Sequence, residues 1–275
     1  MRLSPFGAVL AIAAAVTVVF LLIPIVAIFA ELSFREFVDG LTSDVALDAL
    51  RVTAETNLVA LALIVLFGTP TAYLLATRRF RGRALCVTLV ELPLVLPPAV
   101  AGLGLLAAFG RFELLGRGFG AIGVEIAFTK VAVVLAVIFV ASPFYIRTAI
   151  AAFEAVDSDL VSASRTLGAG PARTFARVAV PLASGGLGAG AALAFARGLG
   201  EFGATIMFAG SLQGVTQTLS LAVYQEFDVR FENALAIGAL LVLVSALILL
   251  VAKLVPVWKR SVSTSTTVSA PSLSS

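Results

Sequence analysis

Histidine is absent from this 275-residue chain, cysteine occurs once, and Asp, Glu, Lys and Arg together make up only 13% of it. Each shortage closes off some chemistry. Without histidine, the commonest metal ligand and the usual general base are missing. A lone cysteine, Cys86, permits no intrachain disulfide. The lysines, Lys130, Lys253 and Lys259, follow Thr129, Ala252 and Trp258, and none follows a glycine. A Gly-x-x-x-x-Gly-Lys-Ser/Thr loop is therefore lacking, and the chain cannot cradle nucleotide phosphates by that motif. The formal net charge of +3 is too small and too dispersed to point to nucleic acid.

Apolar residues are abundant instead, at 60% of the chain. Soluble domains are nearer half apolar and a quarter charged. The composition predicts an all-α, polytopic integral membrane protein. About 20 apolar residues suffice for a helix to cross a bilayer. Six such runs lie near residues 7–30, 55–77, 85–109, 129–150, 183–208 and 234–257. The first is longer than the roughly 7–15 residues of a signal-peptide core, and Ile28 spoils a small-residue cleavage site. Residues 1–30 are accordingly read as a retained first transmembrane helix, 31–258 as the main transmembrane domain and 259–275 as a disordered, hydroxyl-rich tail.

Lysine and arginine in short loops set orientation. The loop after the second run carries Arg78, Arg79, Arg81 and Arg83, whereas the loop after the first carries Glu31, Glu36, Asp39, Asp44 and Asp48. Basic loops alternate with acidic or mixed ones along the chain. Six spans with both termini in the cytoplasm satisfy the pattern.

One stretch is out of place. VSASRTLGAGPARTFARVAVP, residues 161–181, sits between two apolar runs with three arginines and a Gly-x-Gly-Pro break. Asp157, Ser158 and Asp159 are good helix caps. Leu160, Ala163 and Leu167 share a face at helical spacing. Gly168 suits a helix stop and Pro171 a helix start. The spacing predicts two short amphipathic helices at the cytoplasmic surface, with Pro181 opening the fifth span. Such a hairpin serves either as an interfacial anchor or as a docking surface for a partner protein.

Two features lie within the apolar runs. Pro93, Pro97 and Pro98 interrupt the third, as a static kink or as a bend lining a pathway. Arg197 and Glu201, spaced i,i+4, predict an ion pair on one helix face of the fifth. A charge at mid-span costs about 2.5–3.5 kcal/mol on insertion scales, so such residues usually face the bundle interior. The pair is read as structural or as lining a path for an anion. Phe202 and Thr205, with Met207 and Phe208, are the candidates for a gate.

Residues 151–181 resemble the Glu-Ala-Ala coupling loop of ABC-importer permeases. Ala163 and Ser164 fall at the small positions, Arg165, Thr166 and Leu167 lead to Gly168, and nine residues later come Val178, Ala179, Val180 and Pro181. The opening glutamate of the motif is missing, with Val161 and Ser162 in its neighbourhood. ELPLVLPPAVAGLGLL (91–106), RTLGAG (165–170), ARGLGEFGATIMFAG (196–210) and TQTLSLAVYQEFD (216–228) resemble the molybdate/tungstate branch of that superfamily. The resemblance implies a type I importer permease in the cell (inner, cytoplasmic) membrane, one that is not an enzyme and binds no cofactor or metal. It further implies a homodimer, two cytoplasmic ABC ATPase subunits that bind ATP and Mg, and an extracytoplasmic oxyanion-binding protein. Ala163–Ala169 would meet the ATPase. A sulfate or thiosulfate permease of the same superfamily is the nearer rival. A stand-alone secondary transporter or membrane enzyme is the more distant one: no internal repeat is evident, only one intramembrane charge pair stands out, and no convergent set of reactive side chains does.

Overall fold

The computed structural model describes residues 5–111 and 114–263, and every regular element among them is helical. In chain order these are α1 (Pro5–Ala30), α2 (Phe34–Leu41), α3 (Asp44–Thr77), α4 (Arg83–Val95), α5 (Pro98–Phe109), α6 (Gly116–Ala121), α7 (Lys130–Glu154), α8 (Ser158–Thr166), α9 (Pro171–Thr174), α10 (Val180–Leu199), α11 (Gly203–Ala209), α12 (Leu219–Phe227) and α13 (Phe231–Ser263). A π-helical segment, Phe175–Ala179, joins α9 to α10.

Five stretches are long and apolar enough to span a membrane: Phe6–Ala30, Asp44–Thr77, Lys130–Glu154, Pro171–Leu199 and Phe231–Val251. The sixth expected span is not one kinked helix. It is two, α4 and α5, set at 113° to each other. The break falls at Leu96–Pro97, where neither Pro97 nor Pro98 can donate to a preceding turn. Helix α4 ends instead with the Leu96 amide bonded to the Leu92 carbonyl, and Pro98 opens α5 at a position where its missing N–H costs nothing.

The fifth span also departs from expectation. It starts at Pro171 and ends at Leu199, not 183–208. The second short helix of the polar hairpin is therefore the foot of this span, and Pro181 lies inside the helix. The π-helical segment explains how. In α geometry Pro181 would crowd the carbonyl of Arg177. One extra residue per turn just before it, with the Val180 amide reaching Phe175 O, lets the helix run on. Residues 259–263 of the expected tail continue α13. Residues 264–275 lie outside the described residues.

The chain divides into two compact units. In the first, residues 1–53 and 211–244, Ala46 and Ala49 of α3 pack with Leu219 and Ala222 of α12 and Ile237 of α13. Thr53 Oγ1 accepts the Leu219 amide at 2.8 Å, satisfying one open donor of α12. Asp44 and Asp48, expected in a loop, belong to the first turns of α3. Helix α2 starts with a capping box: Ser33 Oγ accepts the Glu36 amide, and the Glu36 carboxylate accepts the Ser33 amide at 2.8 Å.

The second unit, residues 54–210 and 245–275, holds the bundle that matters here. Tyr145 of α7 is buried among Ile64 and Ala72 of α3 and Ala179, Ala183 and Ala194 of the fifth span. Its hydroxyl meets Thr69 Oγ1 at 2.6 Å. A second cluster packs Ala101 of α5 and Val133, Ala136 and Val140 of α7 around Phe208 of α11. Helices α5 and α11 touch backbone to backbone. A Cβ on Gly102 would stand 2.6 Å from Ala204 O, and one on Gly203 2.7 Å from Pro98 Cβ. Only glycine permits that approach.

Candidate functional site

Helix α8 is built as the capping signals require. Asp157 caps it by accepting the Asp159 amide. At its other end Gly168 takes φ +82°, its amide bonds Arg165 O, and the Ala169 amide bonds Ser164 O. This pair of bonds is a Schellman stop, and glycine is the residue that reaches it without strain. No residue of α8 is buried. Ala163, Arg165, Thr166, Leu167 and Gly168 are exposed, Ser164 and Ala169 partly so. Leu167 is 88% exposed and Leu160 49%. The apolar face expected at helical spacing is present, with Leu167 open and Leu160 half covered. Ser164 Oγ lies 3.1 Å from the buried Thr174 Oγ1, which ties α8 to the foot of the fifth span.

At the opposite end of that span is Arg197. Its guanidinium lies 2.7 Å from Glu201 Oε2, an ionic contact without hydrogen-bond alignment. The pair does not share the helix face that its i,i+4 spacing predicts. Helix α10 ends at Leu199, and Glu201 lies in the link to α11. Glu201 is 2% exposed, and its other oxygen accepts the Ala204 amide at 2.7 Å. The carboxylate therefore clasps the end of α10 to the start of α11.

Arg197 also lines a cavity of about 110 Å³ with Pro93, Leu94, Leu96, Pro98 and Phe144. The proline break and the arginine of the fifth span, separated by a hundred residues, meet at one place. The Arg197 side chain is 27% exposed, so the charge reaches the cavity while its counter-ion is sealed. An arginine beside a small cavity in a low-dielectric setting suits a compact anion.

The gate candidates fare differently. Thr205 and Phe208 are fully buried, and Phe208 stacks at 6.3 Å from Phe109 in the core. Neither side chain faces a passage in this conformation. Phe202 is half-buried and Met207 is 41% exposed.

Three further ion pairs were not legible in the sequence, since their partners lie far apart in the chain. Glu91 of α4 meets Arg147 of α7 at 3.1 Å. Arg83 of α4 meets Glu154 of α7 at 2.9 Å, and its Nε donates to Leu75 O at 2.6 Å. The numbering of the two pairs shows that α4 and α7 run antiparallel. Lys130 and Glu55 form a further pair at 2.6 Å between α7 and α3. Among the described residues, no three His, Cys, Asp or Glu side chains gather as a metal site would need.

The family model for the binding-protein-dependent transport system inner membrane component matches residues 64–258. The chain belongs to this family. The permease is 42% identical over 233 residues to the molybdenum transport system permease protein ModB of Mycobacterium tuberculosis, covering 85% of this chain and 88% of that one. It is 34% identical over 235 residues to the sulfate transport system permease protein CysT of Escherichia coli, covering 83% and 84%. A chain of a bacterial alginate ABC transporter, solved in complex with an alginate pentasaccharide-bound periplasmic protein, superimposes with a TM-score of 0.70 at 17% identity over 90% of this chain and 92% of that one. At that identity the likeness concerns the fold. It is the architecture of a type I ABC importer permease, a multi-pass membrane protein.

Proposed function

We propose that this permease imports molybdate or tungstate as a homodimer, driven by two cytoplasmic ATPase subunits and supplied by an extracytoplasmic oxyanion-binding protein. One observation carries the substrate class: Arg197 lines the cavity at the α4–α5 break, in a chain 42% identical to a molybdenum transport permease. Sulfate is the second reading, supported by 34% identity to a sulfate permease, and the same cavity chemistry serves any small oxyanion.

The chain supplies passage and coupling. ATP and Mg belong to the separate ATPase. The exposed face of α8, with Leu160 and Leu167 as apolar anchors and Arg165 beside them, docks into a groove of that subunit. The arginines at 78–83 support a cytoplasmic location for this end, and the alternation of basic and acidic loops supports cytoplasmic termini. Closure of the ATPase pair displaces α8. The Ser164–Thr174 contact passes the displacement to the foot of the 29-residue stretch Pro171–Leu199. Arg197 lies near its far end, about 35 Å away at 1.5 Å per residue. The helix thus acts as a lever between the ATPase and the cavity, and ATP biases which of two arrangements it holds.

The test is reconstitution in proteoliposomes with the ATPase and the binding protein. ATP-dependent uptake of molybdate or tungstate in preference to sulfate is expected. Preference for sulfate selects the second reading, and anion uptake by the permease alone, without ATP, refutes both.

A further inference from the structure

Helix α7 is the most deeply packed of the spans. Along its C-terminal half, residues 142–154, the exposed positions are Arg147, Ala151 and Glu154. These stand at i, i+4 and i+7, a single stripe. A span facing lipid exposes leucine, valine and phenylalanine, as α1 does. This stripe instead carries charge, and both charges are paired to α4: Arg147 with Glu91 and Glu154 with Arg83.

The depth of the Glu91–Arg147 pair matters. Arg147 is seven residues from Glu154, or about 10 Å along the axis. The 25-residue helix α7 overhangs a hydrocarbon core of about 30 Å only slightly at each end, so the pair lies inside it. Its side chains are nevertheless 59% and 36% exposed. A mainly structural pair at this depth would be enclosed, because unsolvated charge facing lipid is unfavourable. The exposure fits a wall facing water.

The pair also adjoins the cavity already described. Phe144 is one turn before Arg147 on α7, and Leu94 is one turn after Glu91 on α4; both line the cavity with Arg197. We infer that Arg147, with Glu91 as its displaceable counter-ion, is a second cationic station for the oxyanion, one step from Arg197 toward the α8 end. The inference rests on the oxyanion-permease reading and adds a residue to it. An anion leaving Arg197 meets Arg147, exchanges places with the Glu91 carboxylate, and is released when that carboxylate returns. Pairing at rest keeps the station from trapping the ion, as passage requires sites that bind weakly enough to let go.

The experiment uses the complete importer in proteoliposomes, with tungstate as the probe and ATP turnover read in parallel. Arg147→Gln is expected to lower tungstate taken up per ATP hydrolysed by about tenfold or more. Arg147→Lys keeps the charge and should stay within about threefold of the parent. Glu91→Gln keeps the cation but removes the carboxylate that displaces the anion; tungstate should be retained there, and uptake per ATP should fall as the tungstate concentration rises. Losses in Arg147→Gln and Glu91→Gln that are equal at every tungstate concentration would make the pair a brace, and an unchanged ratio in Arg147→Gln would make it lipid-facing; either overturns the station. A permease without substitutions that moves neither tungstate, molybdate nor sulfate defeats the transport reading itself, and the station with it. A second measurement stands if Arg147→Gln fails to assemble. In a Cys86→Ser background, Phe144→Cys should react with a membrane-impermeant charged thiol reagent, and tungstate should slow the reaction. No labelling there means no aqueous track, and the station is refuted.

Discussion

Arg197 and Glu201 are in contact at 2.7 Å although the helix that carries the arginine stops at Leu199. The contact is made by a turn, not a helix face, and the same carboxylate holds the Ala204 amide. Removing either partner therefore does more than delete a surface pair. Breaking a buried pair from one side costs about 3–5 kcal/mol, because a charge is left uncompensated. Arg197→Ala should lose assembled complex, measured as permease co-purified with its ATPase. The double variant Arg197→Gln with Glu201→Gln leaves no such charge and should restore assembly. If Arg197 serves the anion, the double variant still transports at background levels. Recovery of uptake in that variant would reduce the arginine to a structural role.

On α8, Leu167 is 88% exposed and touches little of its own chain. Leu167→Asp should leave the permease folded, with a stability change within about 0.5 kcal/mol. It should abolish capture of the ATPase and uptake with it. Normal ATPase binding by this variant would contradict the assigned docking face.

Gly168→Ala probes the stop that shapes that face. The backbone there has φ +82°, and a Cβ costs roughly 1–2 kcal/mol in that region. No heavy atom lies within 4 Å of where the Cβ would stand, so the loss is one of local shape and not of packing. Weaker ATPase binding, with an unaltered melting point of the transmembrane bundle, is the expected result.

The crossing of α5 and α11 gives a test of packing. A Cβ at Gly102 would press on Ala204 O at 2.6 Å and Met207 Cβ at 2.8 Å. Gly102→Ala should cost about 1–3 kcal/mol by overpacking. Gly104→Ala, two residues along the same helix, meets nothing within 4 Å in the protomer. Thermal unfolding in detergent should separate the two, with only Gly102→Ala lowered.

At the first short helix the expectation concerns pH. The Ser33 hydroxyl, then the Ser33 amide, hold the Glu36 carboxyl below its ordinary value. A carboxyl whose folded value is depressed contributes stability that is complete above its unfolded value and is lost as pH falls through the folded one. Protection of the Ser33 amide against hydrogen exchange should therefore be constant at neutral pH and fade in acid, below the usual glutamate range. Glu36→Gln should show no such dependence.

Much of the local structure was legible because its causes are local. Asp157 and Gly168 marked the ends of α8, and the structure places the helix between them. Pro97 and Pro98 marked an interruption in the third span, but not a 113° turn. That angle depends on Gly102 and Gly203 letting α5 lie against α11, a contact between residues a hundred positions apart. Pro181 misled for a related reason: a proline stops a helix unless a π-helical segment absorbs it, and nothing in the spacing discloses that segment. Thr205 and Phe208 read as gate residues by type, and in this structure both are buried. The Glu91–Arg147 and Arg83–Glu154 pairs carry one faint sequence signal. Placing the third and fourth spans antiparallel sets both pairs in the same register.

The sequence by itself determined the solvent this protein folds in, the number of apolar segments, the caps of α8 and the family. Each depends on composition or on residues within a few turns of one another, where hydropathy and backbone sterics act. Only the tertiary structure decided which charges meet and what they face. An arginine in an apolar helix must find a partner or water, but which of these it finds depends on the register of helices far apart in the chain, which hydropathy leaves open.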